Sequence, residues 1–472
     1  MNTILKPALI LCLVVLVFAN CNKENVSTEA NRTLASTPST ESLTSISESV
    51  GYILTGLTVS SKITLIRQKI KELGATEKGY ISKLNLMFVS SDNTNFTATM
   101  TALGVTVVPD VKVKSPKSRF QEFTNADPNA LPGSTNTFFP RLWGMQAISA
   151  PQAWALGYKG KGVIVAVLDE GFYMNHPDIG PNILQGVSRN FVTLPGENNP
   201  LDPSFKFAYG FSHSTHVAGT IAALDNNIGV IGVAPEAKII AVKVLSEIVG
   251  YGEFSWVVQG IVYAADSGAD VINMSLGALI PKGAAQDANE IQQQVFKILN
   301  AAIQYANSKG TTVICAAGND AVDFDHTGSW ENLPSNSPFS ICISATSPES
   351  WFDKLNQGLP NNLDIPTSYT NFGSSRINFA APGGDFDSPS PNWFRDMVLS
   401  TSGPVNYYYA AGTSMAAPHT SGVAALIIGK NGGDMDPAKV KAKLKSSADD
   451  LGKVGKDPYF GDGRINAFRA VN

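Results

Sequence analysis

The 472-residue chain has few cysteines, few charged residues and little imbalance of charge. It holds four Cys, its Asp, Glu, Lys and Arg residues make up 16% of the chain, and its formal net charge is −4. Cys12 and Cys21 lie within the first 21 residues, so only Cys315 and Cys342 remain for the rest, which excludes a disulfide scaffold. The charge balance excludes a basic nucleic-acid-binding protein, and the 43% of hydrophobic residues suffices for a buried core.

The first 21 residues have the layout of an export signal. Lys6 precedes the apolar run 8–19, and Asn20 and Cys21 follow it. This order of a positive residue, an apolar stretch and a cleavage zone predicts a signal peptide over residues 1–21, and the run is too short to span a bilayer. The Ser- and Thr-rich stretch 22–50 is typical of a flexible tether.

Two interpretations of Cys21 stay open. The sequence before it resembles the lipobox of bacterial lipoproteins, in which the cysteine is acylated and becomes the first residue of the mature chain, although Asn20 stands where a small residue is usual. Alternatively, the signal is an ordinary one and the cysteine is accidental. We therefore expect an exported protein, anchored in the cell envelope by acyl chains alone or secreted if Cys21 is not lipidated.

The pattern of apolar residues divides the remaining chain into two folded parts. Strand-like and helix-like stretches alternate over residues 51–114, which predicts a small α+β unit. A polar segment, 115–141, reads as a linker. From residue 142 to 472, near-continuous apolar strands alternate with helical patterns, which indicates an α/β fold with a doubly wound parallel sheet and helices on both faces.

Three side chains with catalytic chemistry stand where strands end or helices begin. Asp169 ends the apolar run VIVAVLD, His213 opens HSTHVAGT, and Ser414 lies in GTSMAAPH. A serine hydroxyl needs a base to remove its proton, and a carboxylate can orient that base, so the three types together favour nucleophilic catalysis. With the order Asp, His, Ser, the chain from about residue 142 onward resembles the subtilases, the subtilisin-like serine peptidases.

The resemblance implies further roles for named residues. Asn319, in VICAAGND, matches the asparagine of the family's oxyanion hole. The motif NMSLG resembles the strand that binds the substrate main chain, and the residues implied in substrate binding are Ser275, Leu276, Gly277, Ala316, Ala317 and Gly318. Because these residues are uncharged and mostly small, we expect a roomy pocket with broad specificity for protein or peptide substrates.

Two residues depart from the family pattern beside the catalytic residues. Glu170 follows Asp169 where the family usually has Ser or Thr, and Ser214 follows His213 where Gly is usual. The extra carboxylate favours the charged form of the imidazole and so raises its pKa. His216, three residues after His213, is expected to be a packing residue, since no Glu between the two completes a zinc-protease motif.

Asp178, in HPDI, and the loop 224–230, LDNNIGV, resemble the high-affinity calcium site of the family. The implied ligands, a carboxylate, an amide and loop carbonyls, are Asp178, Leu224, Asn226, Ile228 and Val230. The alternative is an Asx-rich turn without metal. Calcium would be structural, and no cofactor is expected for catalysis.

The unit 51–114 resembles the inhibitor-like propeptide of subtilases, which assists folding, blocks the active site and is then cut off. Its alternative is a permanent adaptor domain. The expected protein is a serine endopeptidase made as a self-processing zymogen, with its own propeptide as an intramolecular inhibitor. Two other hypotheses stay open: a surface peptide-binding homologue with impaired catalysis, and a processing peptidase with a narrow substrate range.

Overall fold

The computed structural model describes residues 50–114, 119–123, 136–206, 210–281, 286–326, 330–388 and 390–472. The predicted signal peptide with Cys21, the tether and most of the predicted linker lie outside the described residues. The helices in the described part are α1 (Ser60–Glu72), α2 (Phe96–Ala102), α3 (Trp143–Ala147), α4 (Ala150–Ala155), α5 (His213–Ala222), α6 (Phe254–Asp266), α7 (Gln286–Ser308), α8 (Trp351–Asn356), α9 (Thr413–Lys430), α10 (Pro437–Ser447) and α11 (Ala467–Val471).

The strands form one large sheet and several small ones. They are β1 (Val50–Thr55), β2 (Thr76–Ile81), β3 (Leu86–Ser91), β4 (Thr106–Pro109), β5 (Lys112–Lys114), β6 (Arg119–Glu122), β7 (Ile164–Asp169), β8 (Arg189–Asn190), β9 (Lys238–Lys243), β10 (Tyr251–Glu253), β11 (Val271–Met274), β12 (Ala278–Pro281), β13 (Thr312–Ala316), β14 (Trp330–Leu333), β15 (Ile341–Ser347), β16 (Ile365–Pro366), β17 (Phe379–Pro382), β18 (Val398–Ser402) and β19 (Asn406–Ala411).

The central sheet confirms the predicted α/β class. Its strands run in the order β16-β15-β13-β11-β7-β9-β8, with β17 also paired to β15, and all pairs except β15 with β16 are parallel. Helices α5 and α9 contribute to the apolar cluster on one face, and α6 and α7 contribute to the cluster on the other. This arrangement brings the carboxyl ends of the parallel strands to one edge of the sheet, where ligand sites of such folds form.

The first folded unit is a four-stranded antiparallel sheet in the order β2-β3-β1-β4. Strand β2 was not expected, because TEKGYI offers little apolar alternation and forms a strand only against β3. Both faces of this sheet are buried. Leu54 and Met87 pack with α1 and α2, whereas their neighbours Ile53 and Phe88 belong to the apolar cluster that contains α6 and α7.

Two short strands that follow this unit, β5 and β6, pair with strands of the catalytic region. β5 pairs antiparallel with β10, and Lys114 also bridges to Gly277, while β6 pairs antiparallel with β19. Cys315 and Cys342 are neighbours on β13 and β15, and both are buried free thiols. Within the described ranges, no helix is both long enough and apolar enough to cross a membrane.

Candidate active site

Asp169 and His213 form a buried pair at the carboxyl edge of the central sheet. Asp169 is the last residue of β7 and His213 is the first residue of α5. Nδ1 of His213 lies 2.9 and 3.0 Å from the two carboxylate oxygens of Asp169. Burial alone would lower the pKa of the imidazole, but the charges of Asp169 and Glu170 outweigh it, and the pKa of His213 lies above its ordinary value.

Ser414 is the second residue of α9, a helix that packs against α5. Its hydroxyl donates to the main-chain oxygen of Ser275 at 3.4 Å, and the Ser275 hydroxyl donates to the Ser414 carbonyl at 2.8 Å. Nε2 of His213 is buried and has no hydrogen-bond partner among the described residues. The free nitrogen can accept a proton, and its bond to the serine hydroxyl is not formed in this conformation.

Asn319 lies directly beside the nucleophile segment. Its Oδ1 accepts from the N–H of Thr413 at 2.9 Å and from the Thr413 hydroxyl at 2.8 Å. Gly318 has φ of +100°, a conformation that side chains rarely adopt, and its N–H donates to the same Thr413 hydroxyl at 3.0 Å. Thr413 therefore fixes the orientation of the Asn319 amide, a role that sequence reasoning missed although the residue lies next to Ser414.

The two departures from the family pattern bond to the main chain around His213. Oε1 of Glu170 accepts from the N–H of His213 at 2.8 Å, and the Ser214 hydroxyl donates to the carbonyl of Gly171 at 2.5 Å. Burial raises the pKa of the Glu170 carboxyl to about 7, against the opposing influence of His213. Neither of these two contacts involves a ring nitrogen of His213, so both leave Nε2 of the imidazole without a bond from these side chains.

A charged group supports the loop that carries Glu170. The carboxylate of Glu247 accepts from the N–H of Gly171 at 3.2 Å and pairs with Nζ of Lys243 at 2.7 Å. Lys243 is completely buried and pairs with Glu197 at 2.8 Å as well. Lys243 is the cation that both carboxylates share, and through Glu247 it holds the chain just after Asp169 in place.

His216 is held by two main-chain carbonyls. Its Nε2 lies 3.1 Å from the oxygen of Val398 and 2.9 Å from that of Tyr408. Burial lowers the pKa of His216 to about 3, so the ring is neutral at physiological pH. This histidine joins α5 to β18 and β19.

The residues expected to bind substrate include Ser275, which contacts Ser414, and Gly277, which pairs with Lys114. Gly277 exchanges both main-chain hydrogen bonds with Lys114, at 3.3 and 3.2 Å, so an extended peptide segment already lies against it. Leu276 is buried beneath it. Ala316 ends β13, and the carbonyl of Ala317 accepts from the side-chain amides of two asparagines that the sequence did not single out, Asn332 at 2.6 Å and Asn371 at 2.8 Å.

The residues of the expected calcium site surround Asp178. Its Oδ2 accepts from the N–H of Val230 at 2.9 Å, its carbonyl accepts from the N–H of Leu224 at 2.8 Å, and its carboxylate also bonds the Asn226 side chain. Oδ1 of Asn226 accepts from the N–H of Ile228 at 3.1 Å, so that residue belongs to the loop without a direct contact to Asp178.

This loop fits a cation that prefers oxygen ligands. Oδ1 of Asp178 is buried without a hydrogen-bond partner among the described residues, and burial raises the pKa of the carboxyl to about 7. No cluster of three or more His, Cys, Asp or Glu exists in the described ranges, so amide and carbonyl oxygens would have to complete the ligand set.

The sequence of this chain matches a known protein family and several of its members. Residues 160–463 match the model of the subtilase family. The chain is similar to subtilisin NAT of Bacillus subtilis subsp. natto, with 37% identity over 331 residues, covering 70% of this chain and 71% of that protein. It is also similar to thermitase of Thermoactinomyces vulgaris, with 32% identity over 71% of this chain and 97% of the other.

Solved structures that match over most of this chain include two proteases. The epidermin leader peptide processing serine protease from Staphylococcus aureus matches with a TM-score of 0.71 and 23% identity over 90% of this chain and 98% of that one. Fervidolysin from Fervidobacterium pennivorans, a keratinolytic enzyme, matches with a TM-score of 0.68 and 23% identity over 91% of this chain and 62% of that one. At this level of identity the similarity establishes the fold.

Proposed function

Because this chain belongs to the subtilase family and is a serine endopeptidase, we propose that Asp169, His213 and Ser414 are its catalytic residues. The observation that carries this proposal is the imidazole of His213, whose Nδ1 bonds the buried Asp169 and whose Nε2 has no partner in the described residues. Asp169 holds the tautomer that leaves Nε2 free to act as a base and stabilises the imidazolium that forms.

The reaction proceeds through a covalent acyl-enzyme. The Ser414 hydroxyl turns from the Ser275 carbonyl toward His213, gives its proton to Nε2 and attacks the carbonyl carbon of the peptide bond. The C–N bond then breaks as the imidazolium returns this proton to the leaving amine. Water attacks the ester in the same way, with His213 again as the base, and releases Ser414.

Asn319 stabilises the oxyanion of each tetrahedral intermediate. Its Oδ1 accepts from Thr413, so the NH₂ group is the part of the amide that would donate to the oxyanion. A donor fixed in this way needs no reorganisation when the negative charge develops, and the loss of one such donor costs about 10²–10³ in rate. The Ser414 N–H, at the first turn of α9, is the second donor of the hole.

The described contacts of residues 51–114 support a propeptide that inhibits the enzyme from within. Lys114 occupies the substrate edge at Gly277, and Arg119 pairs with Ala411, three residues before Ser414. The described residues just before and just after 115–118 are therefore both paired with segments that adjoin Ser414, as parts of an extended substrate would be. We place the processing cut between Lys114 and Arg119. A permanent adaptor domain would keep this bond intact.

The natural substrates are extended peptide segments, bound by main-chain pairing of the kind that Gly277 makes with Lys114. The small residues Ala316, Ala317 and Gly318 favour broad specificity. The contacts of Glu170 and Ser214 go to main-chain atoms, which favours an active enzyme over the peptide-binding homologue with impaired catalysis.

Export, lipidation at Cys21 and structural calcium complete the proposal. The signal-like residues 1–21 support export, and the loop around Asp178 supports one calcium ion. The intact mass of the protein purified from a membrane fraction reports the acyl chains at Cys21. An N terminus without added mass would contradict the anchor and leave a secreted enzyme.

The test of catalysis and processing compares the wild type with Ser414→Ala. We expect the wild type to hydrolyse casein and to lose residues up to a point between 114 and 119, as seen by mass spectrometry and N-terminal sequencing. Ser414→Ala should remain uncut and inactive. Ser446→Ala, on the exposed surface of α10, is the matched control and should behave as the wild type. Casein hydrolysis by Ser414→Ala at the wild-type rate would refute the mechanism.

A further inference from the structure

Strand β19 ends just before Ser414 in the chain, and β6 covers one of its edges. β19 ends at Ala411, three residues before Ser414, and its inner edge pairs with β18. Its other edge carries β6 in an antiparallel register that runs from Ala411 with Arg119 to Tyr408 with Glu122. All four residues of β6 are exposed, so main-chain pairing and a few side-chain contacts hold it in place.

Two side chains of β6 have specific aromatic partners on the catalytic domain. The Phe120 ring stacks on the Phe211 ring, with centroids 4.3 Å apart and an interplanar angle of 3°. Phe211 in turn meets Tyr408 edge to face at 5.6 Å. The Arg119 guanidinium lies 4.2 Å from the centroid of the Phe386 ring. A ring stack and a cation–π contact therefore accompany the strand pairing.

The location of these rings connects them to catalysis. Phe211 precedes Ser212, whose side chain caps α5, and stands two residues before His213. Peptide residues that pair with β19 therefore lie near Phe211, two residues before the catalytic histidine. In this chain's own segment, the residue that pairs with Gly277 precedes the proposed cut and the residues that pair with β19 follow it.

We propose that Phe211 and Phe386, beside the β19 edge, select for a basic residue followed by an aromatic one among the residues that follow the cut bond. The proposal rests on the proposed endopeptidase function and names a substrate class for it. Arg119 and Phe120 of this chain make the contacts that we expect of these two substrate residues, and we call them the internal copy. Arginine suits the site better than lysine, because its planar guanidinium stacks on a ring face.

The internal copy remains attached after the proposed cut. Twelve residues join Phe123 to Asn136, so β6 stays near its site as a tethered competitor. A competitor lowers kcat/KM for every substrate that must displace it by the same factor. The ratio of kcat/KM between two substrates that differ only at these two positions is therefore free of its influence.

The experiment uses the processed enzyme and three substrates. Two are internally quenched peptides that copy residues 112–123, one unchanged and one with Ala at the positions of Arg119 and Phe120. The third is a succinyl tetrapeptide p-nitroanilide with Phe before the anilide, which has no amino acid after the cut bond. We expect kcat/KM of the unchanged peptide to exceed that of the Ala peptide about tenfold, mostly through KM.

Variants identify the rings that are responsible. Phe211→Ala should reduce the ratio to about twofold or less, and Phe386→Ala should lower the ratio by removing the cation–π contribution of the arginine. Because each ratio compares two substrates on one enzyme, it does not depend on the fraction folded. Phe339→Ala replaces an exposed phenylalanine that is not part of the β19 edge, and this variant should keep the full ratio.

The outcomes separate the two proposals. An enzyme that hydrolyses the anilide and cleaves both peptides with equal kcat/KM would overturn the binding site and leave the endopeptidase function standing. An enzyme that hydrolyses neither anilide nor peptides would overturn the proposed function itself. A ratio that survives Phe211→Ala and Phe386→Ala together would also refute the assignment of these rings.

Discussion

The carboxylate of Glu170 accepts a hydrogen bond from the backbone N–H of His213 at 2.8 Å, so a side chain that departs from the family pattern is attached to the catalytic base. The N–H of Glu170 itself donates to Asp169 at 2.8 Å. Two neighbouring carboxyl groups therefore act on one imidazole.

Replacing Glu170 by Gln should move the acid limb of activity to lower pH. The charge of Glu170 helps raise the pKa of His213, and Gln keeps the acceptor while removing the charge. The free base, which attack requires, would then persist to lower pH. Profiles of kcat against pH measure the shift, with Glu349→Gln, a distant exposed position, as the control. An unchanged acid limb would mean that Glu170 does not act on the imidazole.

Asp110 should make the attachment of the N-terminal unit depend on pH. Its carboxylate accepts from the N–H of Ser255 at 3.0 Å at the start of α6, and burial raises its pKa from 3.8 to about 6. The folded chain therefore binds more protons between these values. The stabilisation is complete below about pH 4 and is lost as pH rises through 6, by at most about 3 kcal/mol.

Hydrogen exchange of β3 and β4 in the uncut Ser414→Ala chain measures this effect. Protection should fall between pH 4.5 and 7 after correction for the intrinsic exchange rate, and Asp110→Asn should make it nearly independent of pH. Asp92→Asn, in a loop of the same unit, is the control and should follow the unmodified profile. A pH dependence that survives Asp110→Asn would assign it to another group.

Calcium should raise the melting temperature of the uncut Ser414→Ala chain. A ligand at about 100 times its Kd stabilises the folded state by about 2.7 kcal/mol, which corresponds to several degrees. Differential scanning fluorimetry with calcium, with magnesium and with EDTA measures the change. Asp178→Ala should abolish the response, whereas Asp387→Ala, on an exposed loop, should retain it. Equal melting temperatures in calcium and EDTA would leave the loop an Asx-rich turn.

Lys243→Met should destabilise the protein by about 3–5 kcal/mol, because it leaves Glu197 and Glu247 buried without their shared cation. Urea denaturation of the Ser414→Ala chain detects the loss as a lower midpoint. Lys69→Met, whose partner Glu72 is exposed, should change stability by less than about 1 kcal/mol. A midpoint unaffected by Lys243→Met would show that the pair contributes little net stability.

The sequence was sufficient to predict the parallel sheet, because its strands are near-continuous apolar runs such as that ending at Asp169. It was not sufficient for β2 or β6. Strand β6, RFQE, has no local signal, and its partner β19 lies almost 300 residues away. The roles of Asn332 and Asn371 were not predicted for a similar reason. Their side chains meet at the Ala317 carbonyl only after distant loops fold together.

Because both faces of the first sheet are buried, the proposed activation would be irreversible. Once the chain is cut, release of the unit bares Ile53 and Phe88, which face the catalytic domain, while Leu54 and Met87 keep only the thin core beneath α1 and α2. A unit of this size with one uncovered apolar face opens easily and is then a substrate for the enzyme that it covered. Under the proposed zymogen mechanism, each released unit would thus be consumed, and activation would not reverse.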